Sequence, residues 1–321
     1  MKRSFILGML ASAAMVLSAP ASASLSTFGS WTGNVDYSTD GFGSLSNSGT
    51  ISASAPIGST VLAAYLYTTV NFNQSHAGVG ATLNGSTVTF GAPSVNASAG
   101  FLSSARADVT SIVSSVINGG AGGVYNFDLT ELSSSQDGEA LVVIFKNNSL
   151  PVSSIGVLDG FSAVTGDTTS VNFAEALNPA APGFSAEMSL GISFSCCSQK
   201  SSVKVNGTTI TTNAGNNDDG ALVSNGSLIT VGGYDDPFSV LNPSYADDHE
   251  RYNLIPYITA GDTSIKIDTL NPSADDNIFL LVAKTSGVAG FNEPPVPEPE
   301  TWALLVAGLA VAGALRQRRK A

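Results

Sequence analysis

The chain has 321 residues, only 12% of them charged, and 25 acidic residues stand against 13 basic ones, for a net charge of −12. Between Ser24 and Pro297 there are 23 acidic and 7 basic residues, a net charge near −16. Such a surface repels nucleic acid and anionic lipid, which excludes both as partners of the folded part, and it suits divalent cations and a hydrated extracellular matrix.

The N-terminus reads as an export leader. Lys2 and Arg3 precede an apolar run from Phe5 to Leu17, small residues follow, and Ala21-Ser22-Ala23 fits a cleavage site. This three-part layout predicts a secretory signal peptide over residues 1–23, with the Sec export machinery as the first partner. Residues 24–286 form the expected ectodomain, with a candidate sub-boundary near 165. After removal of both ends about 270 residues remain, enough for one large β domain or two small ones packed closely.

The body carries strand signals almost throughout. "STVLAAYLYTTVNF" is rich in strand formers. Asn84-Gly85, Asn206-Gly207 and Asn225-Gly226 each separate two strand-like arms, and Asn-Gly suits a two-residue hairpin because both positions need positive φ. "EALVVIF" and "NIFLLVA" read as strands buried on both faces. One stretch differs: Val109, Ile112, Val113, Val116 and Ile117 recur at helical spacing, with Asp108 at the N-cap and Gly119-Gly120 at the C-cap. The expected fold class is therefore all-β, an antiparallel sandwich with one short amphipathic helix. No internal repeat of fixed period is visible.

The order of "VLAAYLYTTV", "ATLNGSTVTF", "ARADVTSIV", "GGVYNFDL" and "EALVVIFKNNSLPVSSIGVLDGF" across Val61 to Ala163 resembles secreted surface proteins with DUF3344-type domains of unknown function. The resemblance implies a jelly-roll-like β-sandwich on a surface or adhesive protein, and it supplies no catalytic residues.

Several constellations bear on chemistry. Asp218-Asp219, Asp235-Asp236, Asp247-Asp248 and Asp275-Asp276 lie in loop-like sequence. Calcium takes six to eight oxygens and fits such loops, although solvated turn acids account for the same pattern; no cofactor is required by the sequence. His249 and Glu250 sit beside Arg251, which offers an ion pair within the loop, and the remaining histidine is His76. No nucleophile elbow, phosphate loop or zinc spacing occurs. Among Trp31, Tyr234, Phe238, Tyr245 and Tyr252, the loop residues Tyr234 and Tyr245 are the candidates for stacking on sugars. Cys196 and Cys197 are adjacent, so a strained vicinal disulfide, two free thiols and intermolecular pairing all stay open.

The tail has its own signature. A Pro-rich linker over 287–299 leads to 14 uncharged residues from Trp302 to Leu315, and Arg316, Arg318, Arg319 and Lys320 follow. As a transmembrane helix, 302–315 would span about 21 Å, short of the roughly 30 Å hydrocarbon core. The basic tail, 316–321, stays cytoplasmic by the positive-inside rule. Pro297-Glu298-Pro299, then Thr301-Trp302-Ala303-Leu304-Leu305, Gly308-Leu309 and the arginine cluster resemble a PEP-CTERM sorting domain over 297–321. The resemblance implies recognition by an exosortase at Pro297, Glu298 and Pro299, in a Gram-negative host that makes exopolysaccharide. The expectation is a non-enzymatic exported protein, held transiently at the inner membrane and then placed at the cell surface or in an exopolysaccharide or biofilm matrix. A carbohydrate-binding module for that polysaccharide is the alternative, and a secreted hydrolase a third.

Overall fold

The computed structural model describes residues 25–43, 46–70, 75–96, 102–163, 165–194, 201–215, 228–239, 250–270 and 277–292. The leader, the Asn225-Gly226 turn, the linker beyond 292, the 302–315 segment and the basic tail fall outside these residues. Among the described residues no helix is long and apolar enough to cross a membrane.

In chain order come β1 (Ser26–Gly33), β2 (Val35–Phe42), β3 (Ser48–Ala55), β4 (Thr60–Val70), β5 (Ala81–Leu83), β6 (Ser86–Val88), β7 (Ser94–Val95), β8 (Ser103–Asp108), helix α1 (Thr110–Ile117), β9 (Gly123–Glu131) and β10 (Gln136–Lys146). Then follow β11 (Ser153–Asp159), β12 (Asp167–Phe173), β13 (Ala186–Ile192), β14 (Ser201–Val205), β15 (Thr208–Ala214), β16 (Thr230–Val231), β17 (Arg251–Asn253), β18 (Ser264–Leu270), β19 (Ile278–Ser286) and β20 (Ala289–Phe291). A single 3-10 turn, Ile255–Tyr257, lies between β17 and β18.

The strands make two sandwiches of the same topology. In the first, the sheet β2-β10-β4-β8-β7 faces the sheet β3-β9-β5-β6. In the second, β11-β19-β13, with β16 and β17 both on β13, faces β15-β14-β18-β12. With the two-residue β7 left out, and with β16 and β17, both on β13, counted as one strand, both halves follow the jelly-roll order in which first, eighth, third and sixth strands form one sheet and second, seventh, fourth and fifth form the other. Three strands are additions: β7 extends the first sandwich beyond β8, β1 extends the second sandwich beyond β11, and β20 extends its other sheet beyond β12. The sequence shows no fixed-period repeat because the duplicated unit is an order of strands, with different loop lengths and little shared sequence.

The sandwiches stack through their inner sheets, giving four layers and three apolar clusters. This arrangement explains the two strands expected to be buried on both faces. Leu141, Val143 and Phe145 of β10 fill the first core, while Ala140, Val142 and Ile144 fill the junction. Leu281 and Ala283 of β19 enter the second core, and Leu280 and Val282 enter the junction. Strands alternate their side chains between faces, so only a sheet covered on both sides accepts an unbroken apolar run.

Helix α1 forms where the apolar spacing places it, with Val113 and Ile117 buried against the first core. Its caps differ by one residue from the expected ones. Val109 occupies the N-cap, and Asp108, one position earlier, accepts the Thr110 N–H at 2.9 Å; Asn118 takes the C-cap. Asn118 Oδ1 also accepts the Val61 N–H at 2.8 Å, which fastens the helix end to the start of β4.

Candidate functional site

The described site candidates fall into different environments. Tyr252 is buried in the second core, and its hydroxyl donates to Glu250 Oε2 at 2.6 Å, so it offers no face to a sugar. Tyr234, Asp235, Asp236 and Phe238 lie on one turn beside the junction. The Tyr234 N–H donates to Thr39 O at 2.8 Å, and Asp236 Oδ2 accepts the Gly233 N–H at 2.6 Å. Arg251 anchors this turn, donating through Nη1 to the carbonyls of Tyr234 and Asp236, both at 3.1 Å, with its guanidinium 4.8 Å from the Phe238 ring centroid. Among the described residues its ion pair is with Glu187 on the neighbouring strand β13, at 3.1 Å. Glu187 also meets Lys284 at 3.5 Å, and Lys284 meets Asp36 of the first sandwich at 2.7 Å. The network thus links both sandwiches. Asp40 faces the same turn: burial, then the charges of Asp235 and Asp236, push its carboxyl up to about 7, against the opposing Ser52 N–H bond.

Among the described residues no group of three or more His, Cys, Asp or Glu side chains is arranged to hold a metal ion. Asp218, Asp219, Asp247, Asp248, Asp275, Asp276, Tyr245, His249, Cys196, Cys197, Pro297, Glu298 and Pro299 lie outside the described residues. His76 Nδ1 is 2.9 Å from Ser103 Oγ.

Sequence reasoning missed a cleft of ≈ 230 Å³ on the seam between the sandwiches. Tyr67, Ser104 and Arg106 come from the first sandwich, and Asp159 with Gly160 from the second. Arg106 pairs through Nη1 with Asp159 Oδ2, and the Tyr67 hydroxyl donates to the same oxygen at 3.1 Å. Burial raises the Tyr67 phenol far above its ordinary range, so it remains a donor. The register of β4 on β8 sets Tyr67 opposite Arg106. Beneath the guanidinium lies Phe28, whose ring centroid is 3.3 Å from Arg106 Cζ. Phe28 meets Tyr65 edge-on at 4.9 Å, and Tyr65 meets Trp31 at 6.5 Å, so three half-buried rings continue from the cation along the seam. Only Trp31 carried a sequence signal. The rest depends on β1 pairing with β11, more than a hundred residues away.

A second acidic feature is internal. Glu139 is wholly buried, and its Oε1 accepts from Thr68 Oγ1 at 3.1 Å and Gln136 Nε2 at 2.5 Å. Burial raises Glu139 well above its ordinary range, and the facing Glu131 raises it further. Glu131 is also raised by burial, and the carboxyl contact opposes that rise. Glu139 Oε2 is buried without a hydrogen-bond partner among the described residues, and burial together with the charge of Glu131 favours the protonated form of Glu139. A glycosidase pair must reach a substrate bond from two sides; a side chain with no exposed surface does not.

The folded body is thus an antiparallel β protein built as paired sandwiches. Residues 295–320 match the PEP-CTERM protein-sorting motif, so the chain carries the signal of an exosortase substrate, which indicates export and surface-directed sorting. The match lies in the tail and leaves residues 61–163 outside it. No curated protein matches the chain. Among solved structures it is similar to BuGH86 in complex with neoagarooctaose, at 8% identity and a TM-score of 0.22, covering 82% of this chain and 34% of that one. It is also similar to a β-porphyranase of glycoside hydrolase family 86 from the human gut bacterium Bacteroides plebeius, at 8% identity and a TM-score of 0.16, covering 86% and 38%. The chain spans 34% to 38% of the length of these enzymes, and at such TM-scores the likeness bears on neither fold nor activity.

Proposed function

We propose that the chain is a non-enzymatic surface or matrix protein, delivered by an exosortase and associated with exopolysaccharide. The match of the tail to the sorting motif carries this reading. The body supports it: two sandwiches bolted together by a shared apolar junction and a charge network make a stiff module suited to display. In this reading the short apolar segment holds the protein at the inner membrane until the exosortase cuts near Pro297 to Thr301. Mass spectrometry of the exported protein tests this. The expected mature C-terminus lies upstream of Trp302, and an intact chain through Ala321 in extracellular material overturns the reading.

Carbohydrate binding is the second reading. The observation that favours it is the seam cleft, where a carboxylate, a guanidinium and a phenol meet beside a row of aromatic rings. Tyr234 of the earlier pair of candidates contributes less, because its turn is held by Arg251 and faces the acidic side chains of Asp40 and Asp235.

A further inference from the structure

We propose that the seam cleft binds a neutral saccharide, with one sugar ring seated between Arg106, Asp159 and Tyr67 and the chain of sugars continuing over Tyr65 and Trp31. This deepens the carbohydrate-binding reading and rests on it.

The pairing of Arg106 with Asp159 does not exhaust either group. Asp159 uses Oδ2 for both Tyr67 and Arg106, and Arg106 uses Nη1. Asp159 Oδ1 and Arg106 Nε and Nη2 have no hydrogen-bond partner among the described residues, and the side chains keep 19% and 30% of their exposure. An acceptor and two donors held side by side match the adjacent hydroxyls of a sugar, each of which both donates and accepts. The ion pair fixes the geometry before the ligand arrives, so little ordering cost remains on binding. Pyranose rings carry C–H faces that lie on aromatic rings; the guanidinium covers one face of Phe28, and the half-buried Tyr65 and Trp31 beyond it supply such faces.

Charge selects the class of sugar. The guanidinium is already neutralised by Asp159, and the exported body carries a net charge near −16. A uronate or sulfated chain would need an unspent cation here and would approach against the field of the whole body. A neutral chain meets neither obstacle.

Isothermal titration on the full chain in detergent tests the proposal. The probes are neutral gluco-, galacto- and manno-oligosaccharides, with an oligouronate as the charged control. At least one neutral series should bind and change the Trp31 fluorescence. Asp159→Asn should weaken that binding about tenfold or more. Because Asp159 also ties the sandwiches, a second variant guards against misfolding: Ser94→Trp fills the exposed wall of the cleft and leaves the ion pair alone. It should abolish binding with the melting temperature unchanged. Absence of binding to every neutral series, binding of the oligouronate alone, or unaltered binding by Ser94→Trp would each overturn the proposal. Binding is read on the uncut chain, so a failure of tail processing leaves the result intact.

Discussion

Asn84 and Asn206 occupy the same place in the two sandwiches and make the same bonds. Each takes a left-handed conformation, φ 47° and 48°, followed by a glycine at 72° and 80°. The Asn84 N–H donates to Asp128 O and Asn84 Oδ1 accepts the Asp128 N–H, both at 2.8 Å; Asn206 does the same with Lys266, at 2.8 and 2.9 Å. Each asparagine thus closes the hairpin of the fourth and fifth strands and stitches it to the seventh. Asn84→Ala and Asn206→Ala should each cost about 1–2 kcal/mol, since alanine loses both the side-chain bond and the tolerance of positive φ. The two sites lie on the outermost sheets, roughly 30 Å apart at ~10 Å per layer, so the costs should add in the double variant. Urea unfolding of the three proteins measures this; strong non-additivity would contradict independent, equivalent roles.

The Glu131–Glu139 pair should make the first sandwich sensitive to alkali. Both carboxyls have raised affinities for protons in the fold. The native state then holds more protons than the unfolded chain above the ordinary glutamate range, so stability falls as pH rises. The stabilising contribution is present at low pH and lost as pH climbs through the folded value. Glu139→Gln keeps the bonding shape without a titrating proton. Melting temperatures between pH 5 and pH 9 should decline less for the variant than for the wild type; parallel curves would remove the pair from the account.

Asp40 should act in the same direction over a defined window. Its carboxyl, raised to about 7, disfavours the native state progressively as pH rises from the ordinary aspartate range to neutrality. Asp40→Asn should therefore stabilise the protein at pH 8, on the order of 1 kcal/mol after allowance for residual exposure, and not at pH 4. Asp235→Asn with Asp236→Asn should lower the Asp40 midpoint only in part, because burial is the larger cause. Melts in calcium and in sodium at matched ionic strength should shift this turn alike, since Asp236 and Asp40 already spend oxygens on backbone N–H groups. An extra calcium shift that the double variant loses would place a metal there.

Glu187 should be the costliest member of the junction network. It meets both Arg251 and Lys284, and each of the three side chains keeps less than a quarter of its exposure. Glu187→Gln leaves two partly buried cations short of charge and should cost about 2–3 kcal/mol. Arg251→Lys retains the charge but loses the fork in which Nη1 holds the Tyr234 and Asp236 carbonyls while Nη2 holds Glu187. A double-mutant cycle on Glu187 and Arg251, read by thermal unfolding, should return a favourable coupling; zero coupling would show that the network is incidental.

Local chemistry explains which features were legible in the sequence. The Asn-Gly turns at 84 and 206, the helix at 110–117 and the unbroken apolar runs of β10 and β19 each follow from neighbouring residues. So does the tail, whose motif is contiguous. The doubled jelly roll was hidden because hairpin signals specify neighbours and not sheet order. The seam cleft was hidden for the same reason: Arg106, Asp159 and Phe28 meet only through pairings of distant strands. Tyr252, which ranks below Tyr234 and Tyr245 as a stacking candidate, sits mid-strand with its ring in the core.

The place of β1 has a consequence for the order of events during secretion. Ser26–Gly33 leaves the translocation channel before any other strand, yet its hydrogen-bonding partner β11 emerges only after the whole first sandwich has passed. Thr27 then meets the carbonyl of Phe291 at 2.9 Å, in the last strand to appear. The leading strand must wait, unzipped, through nearly the entire crossing, and its docking is the step that latches the finished body shut. A chain stalled midway would leave both that strand and the bare edge of β11 open to the wrong neighbour, since an unpaired strand edge is a ready template for another chain.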